Sequence, residues 1–313
     1  MTSQTPFIKI TARSIIVWLI LGSTVLTVIF KFIGLSLKSV LVTNNFNLEK
    51  INFQDPVFNI LATNSTFYII TVSLLAFHIK KSGLQLNFLF GKLPRSNSWF
   101  RWLFMLIPVL IFSLGSGQII YYLISLFDPL LVASLMEKKL FLSAKETSFP
   151  VVYNLIQLIS IIIIAPIIEE ILFRGILLQR WSVKWGILPA IITSSLLFGC
   201  LHFNVLGLIN FGLVTALLYL RTKTLFLPII FHALNNSIAV IMEITSAIFK
   251  ERETIYTLEQ IQSFWWQGLI AIAIALPCLI LFWQDSWRLM PQSLPYFTNR
   301  DRACASRQPR SQN

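Results

Sequence analysis

A chain of 313 residues with 56% hydrophobic and only 12% charged side chains is not composed like a soluble domain, which carries roughly twice that charge fraction. Several apolar runs reach the length of about 18 residues that crosses a bilayer. A soluble core is therefore excluded, and an all-α polytopic membrane helix bundle is expected. The net charge of +12 would suggest nucleic acid as a partner of a soluble protein. Here the basic residues cluster between apolar runs, where they set orientation, so the lipid bilayer is the expected partner and no nucleic acid is.

The pattern predicts eight spans in chain order, at about 14–36, 57–79, 101–125, 151–170 with a helical continuation to 181, 187–203, 206–220, 225–247 and 264–284. The first run has no small-residue cleavage site and is interrupted by Lys31, so it reads as a membrane helix and not as a cleaved signal. The fifth and sixth runs are short, and HFNVLG between them is hardly a loop. Residues 128–147 read as an amphipathic segment on the outer surface. The segment from Pro291 is polar and rich in Pro and Arg, which predicts a disordered basic tail.

With both termini placed in the cytoplasm, the inner segments hold 17 Lys and Arg and the outer segments six, in keeping with the positive-inside rule. The choice between plasma and internal membrane stays open. The expected organisation is N-terminal membrane helices with the outer segment over 1–149, a core over 150–247, a last helix within 248–290, and the tail over 291–313. Cys200 and Cys278 fall in spans and Cys304 in the tail, without metal-binding spacing or a disulfide framework. No segment between spans is long enough for a soluble catalytic domain, so any chemistry must come from side chains on the helices.

Ionisable residues inside membrane helices point to function because their burial is costly. IIEEILFRG places Glu169, Glu170 and Arg174 in an apolar stretch. Glu170 and Arg174 are four apart, the spacing of an intrahelical ion pair. Glu169 is rotated by about 100° and faces elsewhere. The chain has three histidines. His78, beside Lys80 and Lys81, reads as an interfacial residue. His202 ends SSLLFGCLH, with Phe198 four residues earlier on the same face. A hairpin centred near 184–185 would bring Glu169 and His202 to a similar depth, each about 25 Å from the turn. In PIIFHALNN, His232 and Asn236 share one helical face. Together these residues supply a base, two imidazoles and an amide donor, which suits hydrolysis by an activated water. Glu169, His202 and His232 are alternatively a ligand set for zinc with an open position.

These motifs resemble the intramembrane CAAX-processing and bacteriocin-processing proteases, the abortive-infection family. The family pattern is Glu-Glu-x-x-x-Arg, Phe-x-x-x-His and His-x-x-x-Asn, matched here by EEILFR at 169–174, FGCLH at 198–202 and HALNN at 232–236. The resemblance covers about 150–245. It implies that Glu169 and His202 activate water, that His232 and Asn236 hold the oxyanion or the substrate carbonyl, and that Glu170 and Arg174 orient the site. It leaves open a metalloprotease with zinc on Glu169, His202 and His232, or a metal-free mechanism. The expected activity is intramembrane endopeptidase cleavage of a membrane-associated protein or peptide. The alternative is a catalytically silent scaffold or chaperone of the same fold. A transporter is disfavoured because the two halves show no obvious repeat.

Overall fold

The computed structural model describes residues 6–43, 55–93, 97–250, 257–290 and 293–306. Among them every regular element is helical. The helices are α1 (Ala12–Thr43), α2 (Pro56–Ser82), α3 (Leu86–Phe90), α4 (Leu106–Phe127), α5 (Pro129–Glu137), α6 (Pro150–Ile159), α7 (Ala165–Glu170), α8 (Gln179–Trp185), α9 (Ile187–Cys200), α10 (Val205–Thr222), α11 (Phe226–Lys250), α12 (Leu258–Phe264), α13 (Trp266–Arg288) and α14 (Pro295–Ala305). Hydrocarbon satisfies no backbone polar group, so apolar runs of this length close their hydrogen bonds internally as helices.

Six helices among the described residues are long and apolar enough to cross a membrane: Pro56–Ser82, Trp99–Phe127, Pro150–Trp185, Val205–Thr222, Phe226–Ser246 and Trp266–Arg288. They make the chain a polytopic membrane protein. Two further apolar stretches, Ala12–Leu26 within α1 and Ile187–Cys200, are shorter. Pro150–Trp185 is one long helix with two π-helical stretches, Ser160–Ile164 between α6 and α7 and Ile171–Leu178 between α7 and α8. Nothing in the apolar periodicity announced them.

The chain divides into two compact units. One comprises Lys9–Gly83 and Lys139–Ile168, where α2 packs on both α1 and α6. Asp55 caps α2 by accepting from the Val57 amide, and it also accepts from the Thr147 hydroxyl and the Ser148 amide. Burial opposes the charge on Asp55, but these donors outweigh it and hold the carboxyl below its usual range.

The other unit comprises the described residues of Met1–Ile8, Leu84–Lys138 and Glu169–Asn313. Here α4 packs along α13, and α10 is surrounded by α4, α9 and α11. The α4–α13 crossing is close: a Cβ on Gly115 would stand 2.6 Å from the Gly268 carbonyl oxygen. The turn from α8 to α9 is made at Gly186, whose φ of 91° a side chain would oppose.

The expectation of a disordered tail is corrected over Pro295–Ala305, which forms α14. Tyr296 is buried against Phe7, with ring centroids 5.3 Å apart. Its backbone amide donates to Gln179 Oε1 at 3.1 Å, and its hydroxyl accepts from the Gln85 amide. Asn299 donates to the carbonyls of Phe88 and Lys223. The polar average of the segment hid two aromatic residues, Tyr296 and Phe297, which supply apolar area at its start. The remainder of the expected tail, at 291–292 and 307–313, lies outside the described residues.

Candidate active site

The residues singled out from the sequence all fall in the second unit. Glu170 is fully buried and Arg174 is 1% exposed. Arg174 Nη1 donates to Glu170 Oε1 at 3.0 Å, and its Nη2 donates to the Gly212 carbonyl at 3.3 Å. The ion pair expected from the four-residue spacing is present, within the π-helical stretch that follows Glu170. The sequence did not indicate a second donor on the same carboxylate. His232 Nδ1, from α11, also donates to Glu170 Oε1 at 2.9 Å. A carboxylate between a guanidinium and an imidazole fixes which ring nitrogen of His232 points away from it.

That nitrogen, His232 Nε2, stands 3.9 Å from Glu169 Oε2. Glu169 Oε2 is itself buried and accepts no hydrogen bond from the described residues. The side chain of Glu169 keeps 18% of its surface exposed, whereas that of Glu170 keeps none. The adjacent carboxylates therefore differ in environment, as their 100° rotation on the helix implied. Glu170 is locked into the protein interior, and Glu169 faces outward from it.

Phe198 is the hub of the arrangement. It is fully buried on α9, with the Arg174 guanidinium 4.6 Å from its ring centroid. The His202 and His232 rings lie 4.7 and 5.9 Å from it. Both imidazoles thus flank one aromatic ring. His202 sits just beyond the end of α9, in the turn that leads to α10. Its Nδ1 is 2.7 Å from the Phe198 carbonyl, which can only accept, so Nδ1 carries a proton and Nε2 is directed elsewhere.

Asn236, one helical turn after His232 on α11, is half-buried, and its Oδ1 accepts from Asn235 Nδ2 at 3.4 Å. His78 lies in the other unit and is buried on α2.

Phe211, 4.8 Å from the His232 ring, and the Gly212 carbonyl were not visible as site residues in the sequence. An aromatic and a glycine within an apolar run carry no signal of their own.

Among the described residues no three His, Cys, Asp or Glu side chains stand together as a metal site. His232 Nδ1 is turned to Glu170 and His202 Nδ1 to the Phe198 carbonyl, which leaves Nε2 of each ring as the nitrogen directed elsewhere.

Two carboxylates, two imidazoles and a guanidinium are thus brought together on an all-α bundle with long apolar helices. A family model described as Type II CAAX prenyl endopeptidase Rce1-like matches residues 150–238. A CAAX-protease-like domain is thus present over this part of the chain, and the matched stretch holds every site residue from Glu169 to Asn236. No curated protein and no solved structure matches the chain.

Proposed function

We propose that the protein is an intramembrane endopeptidase that hydrolyses a peptide bond of a membrane-associated protein or peptide. The observation that carries this reading is Glu169 Oε2, a buried acceptor without a hydrogen-bond donor among the described residues, 3.9 Å from His232 Nε2. A buried carboxylate oxygen needs a donor, and a water molecule placed there is one.

In the proposed reaction Glu169 takes a proton from that water, with His202 Nε2 as the second acceptor, and the water oxygen attacks the substrate carbonyl carbon. His232 and Asn236 donate to the oxyanion that forms. For both of its nitrogens to donate, His232 carries a proton on each in this scheme. His232 then donates Nδ1–H to Glu170 and Nε2–H to the oxyanion. Collapse breaks the C–N bond, and the proton held by Glu169 passes to the leaving amine. Glu170 and Arg174 touch no reacting atom in this scheme and serve to hold His232.

All the groups required come from the chain itself. The reaction written this way uses no metal, so chelation is expected to leave the rate unchanged. Loss of activity on chelation with recovery on zinc would replace this version with a metal-dependent one. The excess of Lys and Arg in the inner segments supports eight crossings with both termini in the cytoplasm and a site that opens to that side. A prenylated substrate is suggested by the name of the matched family alone.

The test is to reconstitute the purified protein in vesicles with labelled membrane-bound peptides, prenylated and unprenylated, beside the Glu169→Gln variant. Cleavage by the wild type and not by the variant supports the reading. Equal cleavage by both, or accumulation of no membrane protein in cells that carry the variant, sinks it in favour of a silent scaffold.

A further inference from the structure

His202 sits in a turn, and a turn is a poor place to hold a base unless something fixes it. Asn204, two residues on, is the N-cap of α10, where its Oδ1 accepts from the Gly207 amide at 3.1 Å. A cap needs no more than that. Asn204 does more. Its Oδ1 also accepts from the Ser116 hydroxyl at 3.0 Å, and its Nδ2 donates to the Ser113 carbonyl at 2.7 Å and the Ser113 hydroxyl at 3.0 Å. Both lone pairs and both N–H groups of the amide are thereby used.

Ser113 and Ser116 belong to α4, about 90 residues earlier in the chain. The remaining hydrogen bonds of the turn are local, from Leu201 to Phe198, from His202 to Gly199 and from Val205 to Phe203. The seat is tight as well. A Cβ on Gly207 would stand 2.5 Å from Asn204 Nδ2 and 2.7 Å from Ser113 Oγ. The Nδ2 bonds have no part in starting α10. Their effect is to tie the turn sideways to α4.

We propose that Asn204, clamped by Ser113 and Ser116, is a positioning residue that sets the depth and direction of the His202 imidazole. The inference rests on the reading of His202 as part of the hydrolytic site. An aspartate at 204 could still cap α10 and accept from Ser116, but it offers no N–H to Ser113. A serine could cap the helix and would be too short for the clamp. A displacement of about 1 Å at a catalytic group costs on the order of 100-fold in rate.

The test compares the wild type with Asn204→Ser, Asn204→Asp and the milder Ser116→Ala, all in full-length protein labelled with 15N-histidine. The chain has three histidines, so the His202 ring is assigned by single replacement of the other two. The wild type should show the form of His202 protonated at Nδ1. Both Asn204 variants should remain folded by circular dichroism and show His202 averaged between tautomers. On a cleaved reporter peptide their kcat should fall about 10- to 100-fold with KM within about twofold. Ser116→Ala should move both readouts in the same direction by less, and it decides the matter if the Asn204 variants do not fold. An unchanged His202 signal in the folded variants overturns the proposal and leaves Asn204 as a helix cap. If the wild type itself cleaves nothing, the proteolytic reading fails, yet the nitrogen spectra still decide whether the clamp exists.

Discussion

Glu170 and His232, 62 residues apart in the chain, share a hydrogen bond of 2.9 Å on the same carboxylate oxygen that accepts from Arg174. The buried charge on Glu170 therefore has two partners from two helices. Replacing Arg174 by Ala strands that carboxylate, and the expected loss of stability is about 3–5 kcal/mol. The double variant with Glu170→Gln should recover part of it. Denaturant titration in detergent measures both, and strictly additive effects would show the pair to be uncoupled.

Glu169 is partly exposed and contributes to no hydrogen bond that holds helices together. Glu169→Gln should thus keep the melting temperature of the wild type while kcat falls by about 100- to 10,000-fold, the range of a general base. A folded Glu169→Gln variant that turns over at the wild-type rate would remove Glu169 from the reaction.

Lys223 lies in the turn between α10 and α11, with Nζ donating to the Leu220 carbonyl at 2.6 Å. Burial, reinforced by the charge of Arg302 on α14, lowers its pKa to about 8. Between about pH 8 and its ordinary value of 10.5 the unfolded chain binds the proton that the native chain has released, so stability should rise with pH through that window. Below about pH 8 the charged lysine disfavours the folded state. Lys223→Gln should remove this contribution to the slope, as read from melting temperatures at pH 7 and pH 10. Identical slopes in the two proteins would refute it.

Gly115 and Gly268 let α4 and α13 meet backbone to backbone. A methyl group at Gly115 must displace a carbonyl oxygen 2.6 Å away, which no rotamer change relieves. Gly115→Ala should cost about 1–3 kcal/mol. Wild-type resistance to unfolding in SDS would show that the crossing yields more easily than its geometry implies.

Cys304 on α14 is exposed and reports on orientation. With Cys200 and Cys278 replaced by Ser, a membrane-impermeant thiol reagent should label it in inside-out vesicles and leave it unlabelled in right-side-out ones. The reverse pattern would invert the topology argued from charge.

By itself the sequence determined the helical membrane class, because long apolar runs in hydrocarbon permit one backbone solution. It also marked Glu169, Glu170, Arg174, His202, His232 and Asn236, since polar groups stand out against such a background, and Phe198 through its spacing from His202. The Glu170–Arg174 pair was legible too, as it lies within one helix and obeys local spacing. Which imidazole meets which carboxylate was not, because that depends on how α11 is placed beside the helix of Glu170. Depth in a hairpin suggested His202 as a neighbour of Glu169, and the fold sets the His232 ring of α11 3.9 Å from the same carboxylate. The role of Asn204 was equally hidden. Asparagine before a helix reads as a cap, and only the packing of α4 against the turn gives its other three hydrogen bonds their partners.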